Sequence, residues 1–318
     1  MYYAGIDLGG TNIAAGIVDE SGKMIKSMSV PTRAERDFRE IVKDMAELVK
    51  KLADTAGIPI GDIEAAGIGC PGSIDSERGI CEYSNNIDMH HADLAGEFRK
   101  SLNIPVHIEN DANAAALGEY EMNAKGSRSF VFVTLGTGIG SGVIIDGEIF
   151  KGFNGAGAEF GHTVINIGGE QCTCGRKGCW ETYASVTALI RQTKEAMEKH
   201  KDSLMHEIAE KEGKVSGLTS FLAAKKGDKY AQDVVSKYFE YIAEGITNLV
   251  NIFQPEILVI GGSISKEGDY LLNPVKAFVE KNDFNRYMPK TKIEIAKLFG
   301  DAGIIGAAIA ARNAQKRQ

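Results

Sequence analysis

The sequence predicts an α/β protein built from two related halves. Three observations carry that reading. Apolar stretches of strand character alternate with stripes at helix spacing. A glycine-punctuated hairpin at the N-terminus recurs 127 positions later, laying Leu8 on Leu135, Gly9 on Gly136, Ile17 on Ile144 and Asp19 on Asp146. The length, 318 residues, suits two domains of ordinary size.

The first half opens with three strands. Tyr2 to Leu8, Ile13 to Val18 and Lys23 to Val30 are apolar runs separated by Gly9-Gly10 and Ser21-Gly22. Arg36 to Ala56 follows as a helix, with Phe38, Ile41, Val42, Met45, Leu48, Val49 and Leu52 on one face. Ile63 to Cys70 is a buried strand ended by Pro71-Gly72, and Val106 to Glu109 a short strand running into a helix near Asn110-Asp111. The second half starts with Phe130 to Leu135, apolar throughout and so buried on both faces. Gly136 to Gly140 turns and Val143 to Ile145 returns. Tyr230 to Phe253 is a long helix stopped by Pro255, Ile257 to Ile260 a buried strand, and Gly303 to Arg312 a packed terminal helix. The charged, glycine-interrupted stretch from Lys199 to Lys229 reads as a peripheral insertion, and Arg312 to Arg317 as a solvated helix end.

Composition narrows the function. Lys and Arg total 36 against 43 Asp and Glu, a formal charge of −7, which argues against a dedicated nucleic-acid or anionic-membrane binder. No apolar run approaches the roughly 18 residues that span a bilayer. The start carries no basic segment and reaches Asp7 early, so the protein is expected to be cytoplasmic. Glycine is in excess, 37 residues, and its clustering points to tight loops.

Four motifs bear on chemistry. Asp7-Leu8-Gly9-Gly10-Thr11-Asn12 sits in a strand-to-strand turn. Its N–H groups suit a phosphate-binding nest, and Asp7 a magnesium ion held through water; a plain hairpin with a solvated Asp is the alternative. Leu135 to Gly142 supplies a second such loop, with Gly136, Thr137 and Gly138. Neither loop ends in Gly-Lys-Ser/Thr or opens a helix. Glu109-Asn110-Asp111-Ala112-Asn113 joins a strand to a helix, where Asp111 suits either a cap or a base for an attacking hydroxyl. Last, Glu159-x-x-His162 precedes Cys172-x-Cys174-x4-Cys179, and Glu181 follows. Three thiolates and an imidazole complete a closed, structural zinc shell, the alternative being three unrelated reduced cysteines. Glu159 and Glu181, beside that rigid element, suit the hydroxyls of a sugar. Cys70 and Cys81 look like core or strand cysteines.

Together these segments resemble the ROK family of sugar kinases and sugar-responsive repressors, along essentially the whole chain. The resemblance rests on Asp7-Leu8-Gly9-Gly10-Thr11, Leu135-Gly136-Thr137-Gly138-Ile139-Gly140, Glu109-Asn110-Asp111-Ala112-Asn113-Ala114, the Glu159–His162 and Cys172–Glu181 signature, and Val259-Ile260-Gly261-Gly262. It implies two actin-like, ribonuclease-H-like domains around a cleft, with a zinc knuckle in the larger. The expected limits are 1–117 plus 303–318 for the small domain and 118–302 for the large one. It implies ATP-dependent phosphorylation of a hexose at the 6-hydroxyl, glucose first, with a kinase for another hexose or a sugar sensor as alternatives. Asp111 would be the general base. Asn86, Asn110, Asp111, Glu159, His162 and Glu181 would contact the sugar. Asp7, Gly9, Gly10, Thr11, Asn12, Gly136, Thr137, Gly138, Gly261 and Gly262 would hold ATP and Mg2+, and His162, Cys172, Cys174 and Cys179 a structural Zn2+. The partners implied are sugar and ATP, neither nucleic acid nor membrane, in a homo-oligomer.

The chain departs from the family pattern in two places. It has Gly157-Ala158 where Ala-Gly often precedes the glutamate, and Met89 where a Trp often follows the asparagine. Repressor members carry an added helix-turn-helix, for which a first strand starting at residue 2 leaves no room. Losing the zinc is expected to weaken sugar binding and spare ATP, because the glycine loops stand elsewhere in the sequence.

Overall fold

The computed structural model describes residues 1–84 and 87–317. Strands β1 (Tyr2–Leu8), β2 (Asn12–Asp19) and β3 (Met24–Pro31) form an antiparallel run. Helix α1 (Phe38–Ala56) follows, opened by Asp37, whose carboxylate accepts from the Arg39 N–H. It presents Ile41, Met45, Leu48 and Leu52 to the core. Strand β4 (Ile63–Cys70) returns parallel to β1. A small antiparallel sheet comes next, β5 (Ser73–Asp75), β6 (Ile80–Ser84) and β7 (Met89–Asp93). Then come α2 (Leu94–Ser101), β8 (Val106–Asn110), parallel to β4, and α3 (Asp111–Glu119). The first five-stranded sheet has the order β3-β2-β1-β4-β8.

The second half repeats this order. Strands β9 (Ser129–Leu135), β10 (Ile139–Ile145) and β11 (Glu148–Ile149) precede a run of helices: α4 (Glu181–Ala184), α5 (Val186–Lys199), α6 (Leu204–Glu212), α7 (Thr219–Lys225) and α8 (Lys229–Phe253). Strand β12 (Ile257–Gly261), helix α9 (Asp269–Asn282), strand β13 (Lys292–Ile295) and helix α10 (Ala302–Lys316) close the chain. The second sheet reads β11-β10-β9-β12-β13, matching the first strand for strand. The 127-residue shift carries β1 onto the full length of β9 and the start of β2 onto the start of β10. The repeat is therefore topological as well as sequential.

The chain divides into two compact units, one of residues 1–132, 141–158 and 297–318, the other of 133–140 and 159–296. In the first, the sheet carries Ile6, Leu8, Ile13 and Ile68 into a core shared with α1 and with Phe98 of α2. In the second, α8 buries Tyr238, Ile242, Ile246 and Leu249. Phe221 of α7 meets Tyr238 edge-on, their ring centroids 6.3 Å apart.

Several expectations need correction. Residues 199–229 are not peripheral: they form α6 and α7 and bury Met205 and Phe221 completely. The charges of that stretch mark only its outer face. Arg312 is not solvated. It is buried, and its guanidinium donates to Glu121 Oε2 and to the Glu20 carbonyl, each at 3.0 Å. The turn after β9 is shorter than expected, because Ile139 to Gly142 already pair as strand β10.

The glycine excess also has a second cause besides tight loops. Gly5 in β1, Gly67 in β4 and Gly118 in α3 each face the backbone of α10, and Gly306 in α10 faces that of α3. A Cβ at any of them would overlap a carbonyl oxygen, of Ile304, Ala307, Ala302 and Ala114 respectively. The terminal helix thus lies on the first sheet and on α3 at backbone contact, and all of residues 302–312 are buried. Gly306→Ala should lower stability to chemical denaturation by at least about 2 kcal/mol, since neither backbone can retreat. Gly61→Ala, at a site with no atom within 4 Å of the added carbon, should stay within about 0.5 kcal/mol of wild type. Equal effects at the two sites would refute the close-packing account.

Candidate active site

The first unit gathers its polar groups at the C-terminal ends of parallel strands, where open α/β sheets place ligands. Asp7, the sixth residue of β1, pairs across to Gly69 of β4, while Cys70 pairs with Asn110. Asn110 caps α3, accepting from the N–H groups of Ala112 (3.0 Å) and Asn113 (3.1 Å), and its amide donates to the Gly72 carbonyl at 3.1 Å. Asn110 is the N-cap, while Asp111 Oδ1 shares the Ala112 N–H at 2.8 Å. Asp111 is half-buried in the first turn of α3.

Charge is crowded here. Burial and then the nearby Asp111 push the Asp7 carboxyl up to about 6. Burial raises Asp111 as well, against the pull of the N–H groups of Ala112 and of Asp111 itself. Two half-buried carboxylates with raised pKa values fit a divalent cation bound beside them, the donor set being hard oxygen. Gly303, in the first turn of α10, leaves space for Asp7: a Cβ there would lie 2.8 Å from Asp7 Oδ2.

The first glycine loop closes by a bond from Gly9 N to Asn12 O at 3.0 Å, and Thr32 Oγ1 donates to the Gly9 carbonyl at 2.6 Å. The second closes the same way, from Gly136 N to Gly138 O at 3.0 Å. None of Gly9, Gly10, Gly136 or Gly138 has positive φ, so the left-handed nest expected for these loops is not their geometry. Clearance explains Gly138, where a Cβ would overlap the Glu181 carboxylate. Gly262, in the turn after β12, has φ of 83° and faces the Leu135 backbone as well.

The second unit brings Gly136–Gly138, Gly261–Gly262 and Glu181 together. Val186 N donates to the Gly136 carbonyl (2.8 Å) and Thr187 Oγ1 to that of Thr137 (2.7 Å). Glu181 Oε2 accepts from the Ile139 N–H at 2.8 Å. The premise that the glycine loops stand apart from the metal cluster does not match this geometry. Glu181 stands two residues beyond Cys179 and is bonded to the second loop itself.

The metal-type cluster is assembled. The ligand atoms of His162, Cys172, Cys174 and Cys179 lie within 4.8 Å of one another. Cys174 Sγ is 3.6 Å from Cys179 Sγ, and Cys172 Sγ 3.6 Å from His162 Nδ1. A tetrahedron with Zn–S bonds of about 2.3 Å has edges of about 3.8 Å, so the donors fit zinc. Burial and then the sulfurs of Cys174 and Cys172 push the Cys179 thiol up to about 12, so three thiolates here need a cation among them. The knuckle is tied internally by Cys172 N to Arg176 O and Gly178 N to Glu170 O, each 2.8 Å. Gly175 and Gly178 take φ of 89° and 82° to make its turns. Between Cys179 and Glu181, Trp180 is fully buried against Gly245 and its indole donates to the Tyr241 carbonyl at 2.7 Å. Glu181 is thus placed by an indole anchor as well as by the cluster. Glu159 is exposed and precedes the single turn Phe160–His162.

The departure at 157–158 has a structural reading. Gly157 cannot carry a side chain, because a Cβ would sit 2.8 Å from Gly152 N and 2.9 Å from the Lys151 carbonyl oxygen. Ala158 adopts φ of 67°, the conformation for which glycine is favoured. Asn86 lies outside the described residues.

Two residues of this region were missed as functional candidates. Glu109 is buried beside Asn110, and Lys151 reaches it at 2.5 Å. A glutamate inside an otherwise buried strand was the available signal, since such a charge needs a partner.

A raised folded pKa means that folded Asp7 holds a proton which the unfolded chain releases, so stability falls as pH climbs from 3.8 to about 6. Asp7→Asn should accordingly stabilise the ligand-free protein at pH 8, by up to roughly 3 kcal/mol, and do little at pH 4. Urea titrations at the two pH values decide, and a variant that is destabilised at pH 8 contradicts the assignment. For the metal, elemental analysis of protein purified without added metal should give about one zinc per chain, and X-ray absorption three sulfur neighbours near 2.3 Å with one nitrogen. Cys174→Ser should lose most of that zinc; a metal-free wild type would end the zinc reading.

Comparison with known proteins agrees with the assembled geometry. The profile of the ROK family matches residues 3–314. A glucokinase from Thermotoga maritima is 37% identical over 306 residues, covering 96% of this chain and 95% of its own. A xylose repressor from Caldicellulosiruptor bescii is 30% identical, covering 95% of this chain and 76% of its own. Among solved structures, a ROK-family glucokinase from Streptomyces griseus, in complex with glucose and AMPPNP, superposes with a TM-score of 0.86 at 34% identity, covering 98% of this chain and all of that one. The fold is the two-domain, actin-like α/β fold of sugar kinases. No helix among the described residues is long and apolar enough to cross a membrane. With a matched profile from end to end and the Cys3His cluster assembled as its signature requires, the chain belongs to the ROK family.

Proposed function

We propose that the protein is an ATP-dependent sugar kinase that phosphorylates a hexose at its 6-hydroxyl, with glucose the preferred acceptor. The observation that carries this reading is Asp111: a half-buried carboxylate with a raised pKa in the first turn of α3, next to the Asn110 cap, in a chain that aligns with glucokinases along its whole length. Asp111 takes the proton of the 6-hydroxyl as that oxygen attacks the γ-phosphorus in line. A raised pKa makes it a better proton acceptor whenever it is ionised. Asn110, Glu159, His162 and Glu181, with Asn86, orient the remaining hydroxyls. His162 would hold zinc with one ring nitrogen and offer the other to the sugar.

The first loop (Gly9, Gly10, Thr11, Asn12) and the second (Gly136, Thr137, Gly138) direct N–H and hydroxyl groups at the phosphates, and Gly261-Gly262 flanks the nucleoside. Asp7 would hold the magnesium ion whose charge offsets that of the polyphosphate. Little covalent chemistry falls to the protein, so its contribution is positioning and charge stabilisation. The functional division that goes with this reading is 1–117 plus 303–318 for the small domain and 118–302 for the large, in a cytoplasmic homo-oligomer.

A second reading, a non-catalytic sugar sensor, is raised by the similarity to a xylose repressor. Turnover separates the two. In a coupled assay with glucose, fructose, N-acetylglucosamine and N-acetylmannosamine, and with ATP or polyphosphate as donor, glucose with ATP should give the highest kcat/KM. Asp111→Asn should lower kcat by roughly two to four orders of magnitude while calorimetry still detects glucose binding. Turnover within tenfold of wild type would return Asp111 to a structural role; no turnover by the wild type on any sugar would favour the sensor.

A further inference from the structure

The segment from Phe150 to Ala158 links β11 to Glu159 and has no regular secondary structure. Its ends meet at Lys151, whose carbonyl accepts from Gly157 N at 2.9 Å. The Lys151 side chain leaves this closed loop and reaches inward. Its Nζ lies 2.5 Å from Glu109 Oε2 and 3.1 Å from Ser76 Oγ of the segment after β5. Gly155 of the same loop sits on the Ile74 carbonyl, where a Cβ would come within 2.9 Å. The loop is therefore held at Ile74 of β5, at Ser76 just beyond it, and at Glu109 of β8.

Glu109 is the inner partner, with its side chain 3% exposed. Its two oxygens divide their tasks. Oε1 accepts from the Asn110 N–H at 3.1 Å and from the Asn113 amide at 3.3 Å, so it grips the cap and the first turn of α3. Oε2 takes Lys151, with His107 Nε2 at 3.7 Å. Burial pushes the Glu109 carboxyl up, but His107 and Lys151 outweigh it and its pKa ends below the ordinary carboxylate value. The carboxylate is thus ionised, and it sits two residues before Asp111 on the same strand-to-helix turn. Lys151 is the cation that permits a charge there.

We infer that Lys151 and Glu109 are positioning residues for phosphoryl transfer. Their ion pair joins the loop that ends at Glu159 to the turn that carries Asp111, and so fixes the direction of the base. The inference rests on the kinase reading. Neither residue touches sugar or nucleotide in that reading. Each acts through a neighbour, Glu109 through Asn110 and the first turn of α3, Lys151 through Glu109 and the loop closed by Gly157. A displacement of about 1 Å at the reacting groups is enough to cost about a hundredfold in rate.

The test compares Lys151→Met, Lys151→Arg, Glu109→Gln and the double variant Glu109→Gln/Lys151→Met. Each is assayed for kcat and KM with glucose and ATP, and for its thermal midpoint. Lys151→Met should lower kcat by about ten- to a hundredfold with KM for ATP within about threefold. Lys151→Arg, which keeps the cation and the reach, should recover most of the loss. Lys151→Met strands a buried charge and should also melt earlier. The double variant removes that charge, so its melting should recover while its kcat stays low. Recovery of kcat along with stability would show that the pair acts on folding alone and would overturn the inference, as would normal kcat in folded Lys151→Met. Absence of turnover by the wild type on every sugar would instead overturn the kinase reading on which the inference stands.

Discussion

Everything in the first unit depends on how closely one helix can approach a sheet. Helix α10 rests on β1, β4 and α3 at positions where Gly5, Gly67, Gly118 and Gly306 remove the side chain that would hold the backbones apart. The same approach brings Gly303 against the Asp7 carboxylate. Asp7 thus stands against helix backbone, with the charge of Asp111 near enough to raise its pKa. Backbone cannot swing away as a side chain does, and the site proposed above gains from that rigidity.

The second unit reaches rigidity by another route. Its knuckle is short in regular structure and relies on a Cys3His cluster that fits zinc, on two turns, and on the buried indole of Trp180. Cys179 of the cluster and Trp180 immediately precede Glu181, and Glu181 is bonded to the second glycine loop. A carboxylate assigned to sugar hydroxyls thus has one oxygen on the loop assigned to phosphates. On the proposed reading, the sugar and nucleotide contacts of this unit would move as one piece.

How much of this was legible in the sequence follows from the range of the interactions. Strands buried on both faces leave a local trace, and Ile63–Cys70 was bounded by its apolar run and Pro71 to the residue. The metal cluster was legible because its spacing is local and thiols are rare. The sheet β5–β7 left no such trace: its strands are three to five residues long and carry Ser73, Glu82, His90 and His91. Residues 199–229 misled because single residues, Met205 and Phe221, do the burying while charge fills the other faces. The partnership of Glu109 with Lys151, 42 positions apart, is tertiary and has no local pattern. Glycine was read by its commonest use. Gly5 and Gly67 inside strand-type runs, and Gly306 inside a helical one, were the signs of close backbone approach.

The seat of α10 also imposes an order on how the protein is made. Residues 1–110 complete the first sheet, yet the helix that covers β1 and β4 begins at Ala302. At about 5–20 residues per second, a ribosome needs on the order of ten to forty seconds to cross that gap. For that interval the nascent sheet shows bare backbone and apolar side chains to its surroundings. Such a surface is a natural client for a holding chaperone, and the helix that displaces one emerges long after the sheet it covers.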